Sequence, residues 1–131
     1  DFQCVTGWRV EDVPWSGVLL RDILSTCGVK DNAAALRFTS FDGAYTESLT
    51  LEQAMRDDIL VARTMFGKPL EVKHGAPIRL YVVPMYAYKS IKWLDGIEVQ
   101  DAVTPGYWEE RGYDIDAWVG ASNGRSDEPT A

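Results

Sequence analysis

The chain has 131 residues, of which 46% are hydrophobic and 25% are charged, and this composition excludes a disordered or fibrous protein. Its length is enough for one domain with a single modest core. The net charge of −7 argues against a nucleic-acid partner, and the lack of any apolar run of about 20 residues argues against direct membrane insertion.

The first predicted element is a helix that opens at Ser16 or Gly17 and stops at Gly28. Its apolar side chains fall on one stripe, as helical periodicity requires. The stripe consists of Leu19, Leu20, Ile23, Leu24 and Cys27. We therefore interpret Cys27 as a core residue rather than a reactive thiol.

A β-hairpin is predicted next. A β-prone run over residues 35–41 is followed by the turn signal Asp42-Gly43 and by a return strand over residues 45–49. Thr50 and Gln53 then have the spacing of a capping box, in which each side chain bonds the backbone amide of the other residue. A short helix should therefore follow the hairpin.

The second half of the chain is predicted to consist mainly of strands. We expect strands over residues 59–65, 78–83 and 93–99, and one helical turn over residues 107–112. Strands and short helices alternate without the regular rhythm of βαβ units, which favours the α+β class. Residues 120–131 are rich in Gly, Ser, Asn, Asp and Pro, and we expect a polar surface tail after a domain of residues 1–119.

Cys4 is the residue with the clearest chemical potential. A lone cysteine among aromatic residues is more often a core side chain than a nucleophile, and a thiol enzyme would need a base, for which His74 is the only histidine. Two cysteines and one histidine are too few for a zinc site or a disulfide framework. A single thiolate suffices as a metal ligand if a cofactor brings the other ligands.

Basic residues concentrate in one part of this acidic chain. Residues 59–94 contain six lysine or arginine side chains but one acidic side chain, Glu71. This pattern predicts either a local site for an anionic ligand or an ordinary solvated face. In the first interpretation, the planar fork of Arg79 matches phosphate oxygens in pairs, and Gly75 allows the backbone to approach a ligand closely.

Three segments, in this order, resemble motifs of the sulfite-oxidase type of oxidoreductase molybdopterin-binding domain. They are Phe2-Gln3-Cys4-Val5-Thr6-Gly7-Trp8, His74-Gly75-Ala76-Pro77-Ile78-Arg79-Leu80 and Tyr88-Lys89-Ser90-Ile91-Lys92-Trp93-Leu94. The resemblance covers the chain from Asp1 to about Trp118 and implies a fold of mixed β-sheets with short helices. The family domain begins well before its cysteine, so residues 1–119 would be its C-terminal major part and the fold would be incomplete at the N-terminus.

The resemblance implies a molybdenum–molybdopterin (Mo-molybdopterin) cofactor and assigns roles to particular residues. Cys4 would be the thiolate ligand of molybdenum, since a soft sulfur suits this metal. Tyr113 would be a second catalytic residue, which hydrogen-bonds an oxo group of the metal or holds an oxyanion substrate. The pterin and its phosphate would be contacted by Asp42, His74, Arg79, Ser90, Ile91 and Lys92.

The activity implied by the resemblance is a two-electron oxygen-atom transfer, with a small anion such as sulfite or a sulfoxide as substrate. Electrons would pass to a haem-containing or membrane partner that this sequence does not encode. Two alternatives stay open: an interaction domain that kept the fold without the cofactor, and a thiol enzyme in which His74 activates Cys4. The compartment, bacterial periplasm or cytoplasm, stays open as well, and we do not expect this piece to be active alone.

Overall fold

The computed structural model describes residues 1–130, which form nine strands and two α-helices. In chain order these are β1 (Phe2–Gln3), β2 (Arg9–Val10), β3 (Trp15–Leu19), α1 (Leu20–Cys27), β4 (Ala35–Ser40), β5 (Thr46–Thr50), α2 (Leu51–Ala54), β6 (Ile59–Met65), β7 (Lys68–Pro69), β8 (Arg79–Val82) and β9 (Leu94–Gln100). Single 3₁₀ turns lie in the connections at Val72–His74, Ala87–Lys89 and Glu109–Arg111. The predicted α+β class is confirmed, although every strand pair within residues 1–130 is antiparallel, where mixed sheets were predicted.

Strand β6 is the centre of the larger sheet. Val61 pairs with Val18 of β3 on one side and with Leu80 of β8 on the other. The short strand β7 returns along the β8 edge of β6 after a tight turn. Because β8 begins at Arg79, this sheet fixes the backbone from which the Arg79 side chain projects.

The smaller sheet has the strand order β5-β4-β9. Alternate side chains of β4, Leu36 and Phe38, are fully buried, as expected for a strand with one face on the core. Helix α1 packs Leu20 and Leu24 into the same core. Burial of this apolar surface is the main force that holds the sheets together, and it fixes the loops that follow β4 and precede β9.

The predicted first helix begins too early. Helix α1 begins at Leu20, not at Ser16 or Gly17, and the residues before it form β3. A short apolar pattern is compatible with either structure, so the pairing of β3 with β6 decides the outcome. Gly17 lies at a β-bulge so close to Ala62 that a Cβ atom would come within 2.7 Å of the Ala62 Cα. Among residues 1–130, no helix is long and apolar enough to cross a membrane.

The hairpin and the capping box are confirmed, whereas the burial of Cys27 is not. Strands β4 and β5 pair around the predicted turn. The Gln53 amide donates to Thr50 Oγ1 and the Thr50 amide donates to Gln53 Oε1, both at 3.0 Å. Cys27 is exposed, because the last turn of α1 extends past the core that Leu20 and Leu24 reach.

The segment that follows residue 119 is anchored to the domain by side chains. Tyr86 Oη donates to Asp127 Oδ2 at 2.8 Å, and Asn123 Nδ2 donates to Tyr88 Oη at 3.0 Å. The segment predicted as a polar tail therefore braces two aromatic residues of the loop between β8 and β9.

Candidate functional site

One cleft of about 630 Å³ is lined by all eight residues that the resemblance singles out. They are Cys4, Asp42, His74, Arg79, Ser90, Ile91, Lys92 and Tyr113. These residues come from separate stretches of the chain, so the fold alone brings them together. The volume lies within the range of cofactor and small-molecule sites, roughly 300–1,000 Å³.

Cys4 lies in the turn of the β1–β2 hairpin. Two backbone bonds close this turn, from the Cys4 amide to the Trp8 carbonyl (2.9 Å) and from the Gly7 amide to the Cys4 carbonyl (3.1 Å). The buried side chain of Gln3 donates to the carbonyl oxygens of Cys4 (2.8 Å) and Trp8 (3.2 Å). These bonds hold the Cys4 thiol half-buried at the cleft.

Thr6 contacts the Cys4 sulfur and was missed in the sequence. The distance from Cys4 Sγ to Thr6 Oγ1 is 3.1 Å, and Thr6 also lines the cleft. A hydroxyl at this distance can form a hydrogen bond with the sulfur. The only available signal was a hydroxyl residue two positions after a cysteine in a predicted loop.

Arg79 ties two loops of the cleft together. Its guanidinium donates to the carbonyl oxygens of His74 (3.0 Å) and Ser90 (2.7 Å), and it packs 5.2 Å from the ring centres of both Phe2 and Trp15. Within residues 1–130, no acidic side chain forms a salt bridge with Arg79. Burial lowers its pKa to about 10, so Arg79 is a buried cation at neutral pH.

We expect Arg79→Lys to lower the free energy of unfolding by about 1.5–3 kcal/mol, the worth of a hydrogen bond to a charged group, because one ammonium cannot bridge both carbonyl oxygens as the guanidinium fork does. Urea denaturation measures the change. Arg63→Lys on the exposed part of β6 is the matched control. Equal stabilities of the two variants would show that Arg79 does not clamp the loops.

The loop that carries Ser90, Ile91 and Lys92 offers backbone donors to a ligand. Ser90 itself is committed to the protein, since its hydroxyl accepts from the Val82 amide (2.9 Å) and its amide donates to the Ala87 carbonyl (2.9 Å). The hydrogen bonds among residues 1–130 use neither the Ile91 amide nor the Lys92 amide. Ser90 therefore shapes the loop, and the next two amides remain available.

Gly75 allows the His74 loop to close against Lys92. Gly75 has a φ of 106°, and a Cβ atom there would lie 2.9 Å from side-chain carbons of Lys92. Lys92 Nζ donates to the Lys73 carbonyl at 3.2 Å, and partial burial followed by the charge of Arg79 lowers its pKa. The His74 imidazole makes no hydrogen bond to residues 1–130, so both ring nitrogens are available at the cleft.

Among the described residues, Asp42 is the one acidic side chain that lines this basic cleft, which also contains Lys73, Arg79 and Lys92. Its carboxylate accepts from the Ser40 hydroxyl and from the Ala44 amide (3.0 Å), and these bonds hold the pKa of Asp42 below its usual range. An ionised carboxylate repels a phosphate but accepts N–H donors of a heterocycle. The remaining basic residues of 59–94 lie elsewhere, so the predicted basic island contributes in part to the cleft.

An aromatic wall, missed as a unit in the sequence, closes one part of the cleft. It consists of Tyr45, Tyr88, Tyr107, Trp108 and Tyr113. Their ring centres are 5.1–5.7 Å apart in successive pairs, within the range of favourable aromatic contacts. The Tyr113 hydroxyl makes no hydrogen bond to residues 1–130, and is therefore available to a ligand.

The residues of the cleft fit an anionic organic cofactor that brings its own metal. Within residues 1–130, no cluster of three or more His, Cys, Asp or Glu side chains could hold a metal ion. Cys4 can add a thiolate to a metal whose other ligands come from a bound group. Arg79 supplies a buried positive charge that no carboxylate of the described chain neutralises.

Comparison with known proteins places these features in a family. Residues 1–108 match the oxidoreductase molybdopterin binding domain. The oxidoreductase YuiH of Bacillus subtilis (strain 168) is 38% identical over 120 residues, which cover 90% of this chain and 60% of that protein. The sulfite oxidase of Arabidopsis thaliana is 32% identical over 126 residues, which cover 82% of this chain and 32% of that protein. The chain thus spans less than two thirds of the length of either relative.

A solved structure shares the fold. The crystal structure of the sulfane dehydrogenase SoxCD from Paracoccus pantotrophus matches with a TM-score of 0.64 and 27% identity, over 69% of this chain and 23% of that chain. The sulfite-oxidase-like architecture predicted from the sequence is therefore confirmed.

Proposed function

This chain belongs to the family of oxidoreductase molybdopterin-binding domains, whose cofactor is Mo-molybdopterin, and from that membership we propose that Cys4 is the protein ligand of molybdenum in the cleft. The observation that supports this proposal most strongly is that one cleft joins the Cys4 thiol with basic side chains from two distant loops. When bound, the cofactor supplies two-electron redox chemistry with oxygen-atom transfer.

The side chains of the cleft divide the task of holding the pterin. Arg79 and Lys92 provide positive charge for its anionic end, and the His74 imidazole can provide an N–H donor. The Asp42 carboxylate accepts N–H groups of the ring system, and the amides of Ile91 and Lys92 donate to its oxygens. Each of these roles uses either a charged side chain or a donor that makes no hydrogen bond to residues 1–130.

Tyr113 is the proposed orienting group for the substrate. Its ring packs against Trp108 and Tyr88, and its hydroxyl makes no hydrogen bond to residues 1–130. A small sulfur oxyanion or a sulfoxide has the acceptor oxygen that this hydroxyl can bind, and the basic cleft attracts the anion. Two proteins similar to this chain, the sulfite oxidase of Arabidopsis thaliana and the sulfane dehydrogenase SoxCD, act by name on sulfur compounds. A haem-containing or membrane protein is the proposed electron-transfer partner.

A thiol enzyme has weaker support. The polar contact of Cys4 Sγ within residues 1–130 is Thr6 Oγ1, and no hydrogen bond joins it to His74. A base that activates a nucleophile must lie within hydrogen-bonding reach of it.

The proposed function is tested by cofactor content. The full chain, produced in a host that makes Mo-molybdopterin, should contain about one molybdenum and one pterin per chain, measured by metal analysis and by the fluorescence of the oxidised pterin. A chain that stays free of both in such a host would favour the interaction domain that kept the fold alone.

We expect Thr6→Val to slow the alkylation of Cys4 at neutral pH by roughly three- to tenfold in the cofactor-free chain, because valine cannot donate a hydrogen bond to the thiolate. The measurement uses a Cys27→Ser background, since Cys27 is an exposed thiol. Thr6→Ser keeps the hydroxyl and should restore the rate. Equal rates for all three proteins would show that Thr6 does not act on the sulfur.

A further inference from the structure

Three ionisable side chains form a buried cluster outside the cleft. Lys89 Nζ lies 2.8 Å from Glu47 Oε1, 2.8 Å from Glu109 Oε1 and 2.9 Å from the Ser48 carbonyl oxygen. The three charged side chains are at most 1% exposed. The role proposed above for the cleft makes no use of these residues.

The cluster lacks one positive charge. Two carboxylates and one ammonium would bury a net negative charge, which is costly away from water. The same Lys89 Nζ lies 2.8 Å from Oε1 of both Glu47 and Glu109, and the Oε2 atoms of both are buried without a donor among residues 1–130. A proton on one carboxyl would neutralise the cluster and would let that carboxyl donate to an acceptor that now has no partner.

The cluster lies directly behind residues of the cleft. Lys89 is flanked by Tyr88 and Ser90, which both line the cleft, and Glu109 follows Trp108 in the aromatic wall. Tyr107 is fixed to the same strand as Glu47, because its amide donates to the Thr46 carbonyl at 3.1 Å. Three elements that shape the cleft therefore meet at these three side chains.

Gly106 allows the segment that carries Tyr107 and Trp108 of the aromatic wall to pack closely against the cluster. A Cβ atom at Gly106 would lie 2.9 Å from Glu109 Oε2 and 3.1 Å from the Glu47 Cα atom. The close approach of this segment to β5 thus brings the two carboxyl groups together.

We propose that Glu47, Lys89 and Glu109 are positioning residues that hold one proton between the two carboxyl groups and so fix the aromatic wall of the cleft. This inference depends on the proposed function in one respect, namely that the ligand facing the aromatic wall is the cofactor. Burial first, and then contact with Glu109, raises the pKa of Glu47 well above its usual range. The other titratable groups that face the cluster are the hydroxyls of Tyr45 and Tyr88, whose pKa values are raised as well, so neither competes for the proton at neutral pH.

The direction of the pH dependence follows from this proton. A carboxyl whose pKa is higher in the folded chain than in the unfolded chain binds a proton that unfolding releases. Its contribution to stability is complete below the unfolded pKa of Glu47, for which 4.5 is the ordinary value, and is lost as the pH rises toward the folded pKa. The free energy of unfolding should therefore decrease between about pH 6 and pH 8. Its slope against pH should correspond to the release of about one proton on unfolding.

The test compares urea denaturation of the cofactor-free full chain with that of Glu47→Gln, Glu109→Gln and Glu98→Gln over this pH range. In Glu47→Gln and in Glu109→Gln, a neutral side-chain amide of the same shape replaces a carboxyl that can hold the proton. Each of these two variants should therefore lose the one-proton slope. Glu98 is exposed on β9, and its variant should keep the slope. A slope that is the same in all four proteins would overturn the proposal.

A second readout tests positioning. In chains with labelled tyrosine rings, the NMR signals of Tyr107 and Tyr113 should shift with pH in the parent chain and in Glu98→Gln but not in Glu47→Gln. Ring signals that do not respond to this proton would overturn the positioning role. Neither measurement needs the cofactor, so a negative result here would not contradict the proposed role of Cys4. Conversely, a chain that binds no cofactor in a competent host would not contradict the proposed role of this cluster.

Discussion

Lys89→Met is expected to lower the free energy of unfolding by about 3–5 kcal/mol, because it leaves two buried carboxyl groups without their cation. The methionine has a similar length and apolar stem, so the loss reflects charge rather than a cavity. The loss should appear in urea denaturation at neutral pH. Lys68→Met at the exposed turn of β7 removes the same charge from solvent and should change stability by no more than about 0.5 kcal/mol.

The pH dependence of Lys89→Met has a definite sign. The charge of Lys89 lowers the pKa of Glu47 in the folded chain, so its removal raises that pKa further. The folded chain can then avoid a buried negative charge by binding protons, which becomes easier as the pH falls. The destabilisation should therefore shrink toward acid pH and be largest at neutral and alkaline pH. A loss that does not vary with pH, or one that matches Lys68→Met, would contradict the buried cluster.

Cys4→Ser is expected to reduce the activity of the cofactor-loaded full-length protein by at least roughly 10- to 100-fold, which is the loss typical when a residue that only supports a metal ligand is changed. A serine oxygen is a harder ligand than a thiolate, so the substitution changes the electronic character of the metal centre. The measurement is turnover of a sulfoxide or sulfite with an artificial electron carrier, normalised to bound molybdenum. Cys27→Ser is the matched control, because Cys27 is exposed on α1 and does not line the cleft. Equal activities of the two variants would contradict the role of Cys4.

Much of the lining of the cleft could be predicted because six of the eight predicted residues lie in three short segments. Each segment has its own local chemistry, such as a thiol in a tight loop or an arginine beside a glycine, and the fold brings the segments to one cleft. The hairpin and the capping box were predictable for a similar reason, since both are stabilised by contacts between close neighbours in sequence.

The features that could not be predicted depend on contacts between distant residues. Glu47 and Lys89 are 42 positions apart, and Lys89 and Glu109 are 20 apart, so no local pattern shows that they meet. The β-strand before α1 was missed for the same reason, because its partner strand begins at Ile59. Thr6 could be identified only once the turn of the β1–β2 hairpin had placed its hydroxyl beside the sulfur.

The most direct test of the central claim is X-ray absorption at the molybdenum edge of the loaded chain. If Cys4 ligates the metal, the spectrum of Cys4→Ser should show one sulfur scatterer fewer than that of the parent chain, with an oxygen or nitrogen scatterer in its place, while Cys27→Ser should leave the spectrum unchanged. An unchanged sulfur shell in Cys4→Ser would contradict the claim.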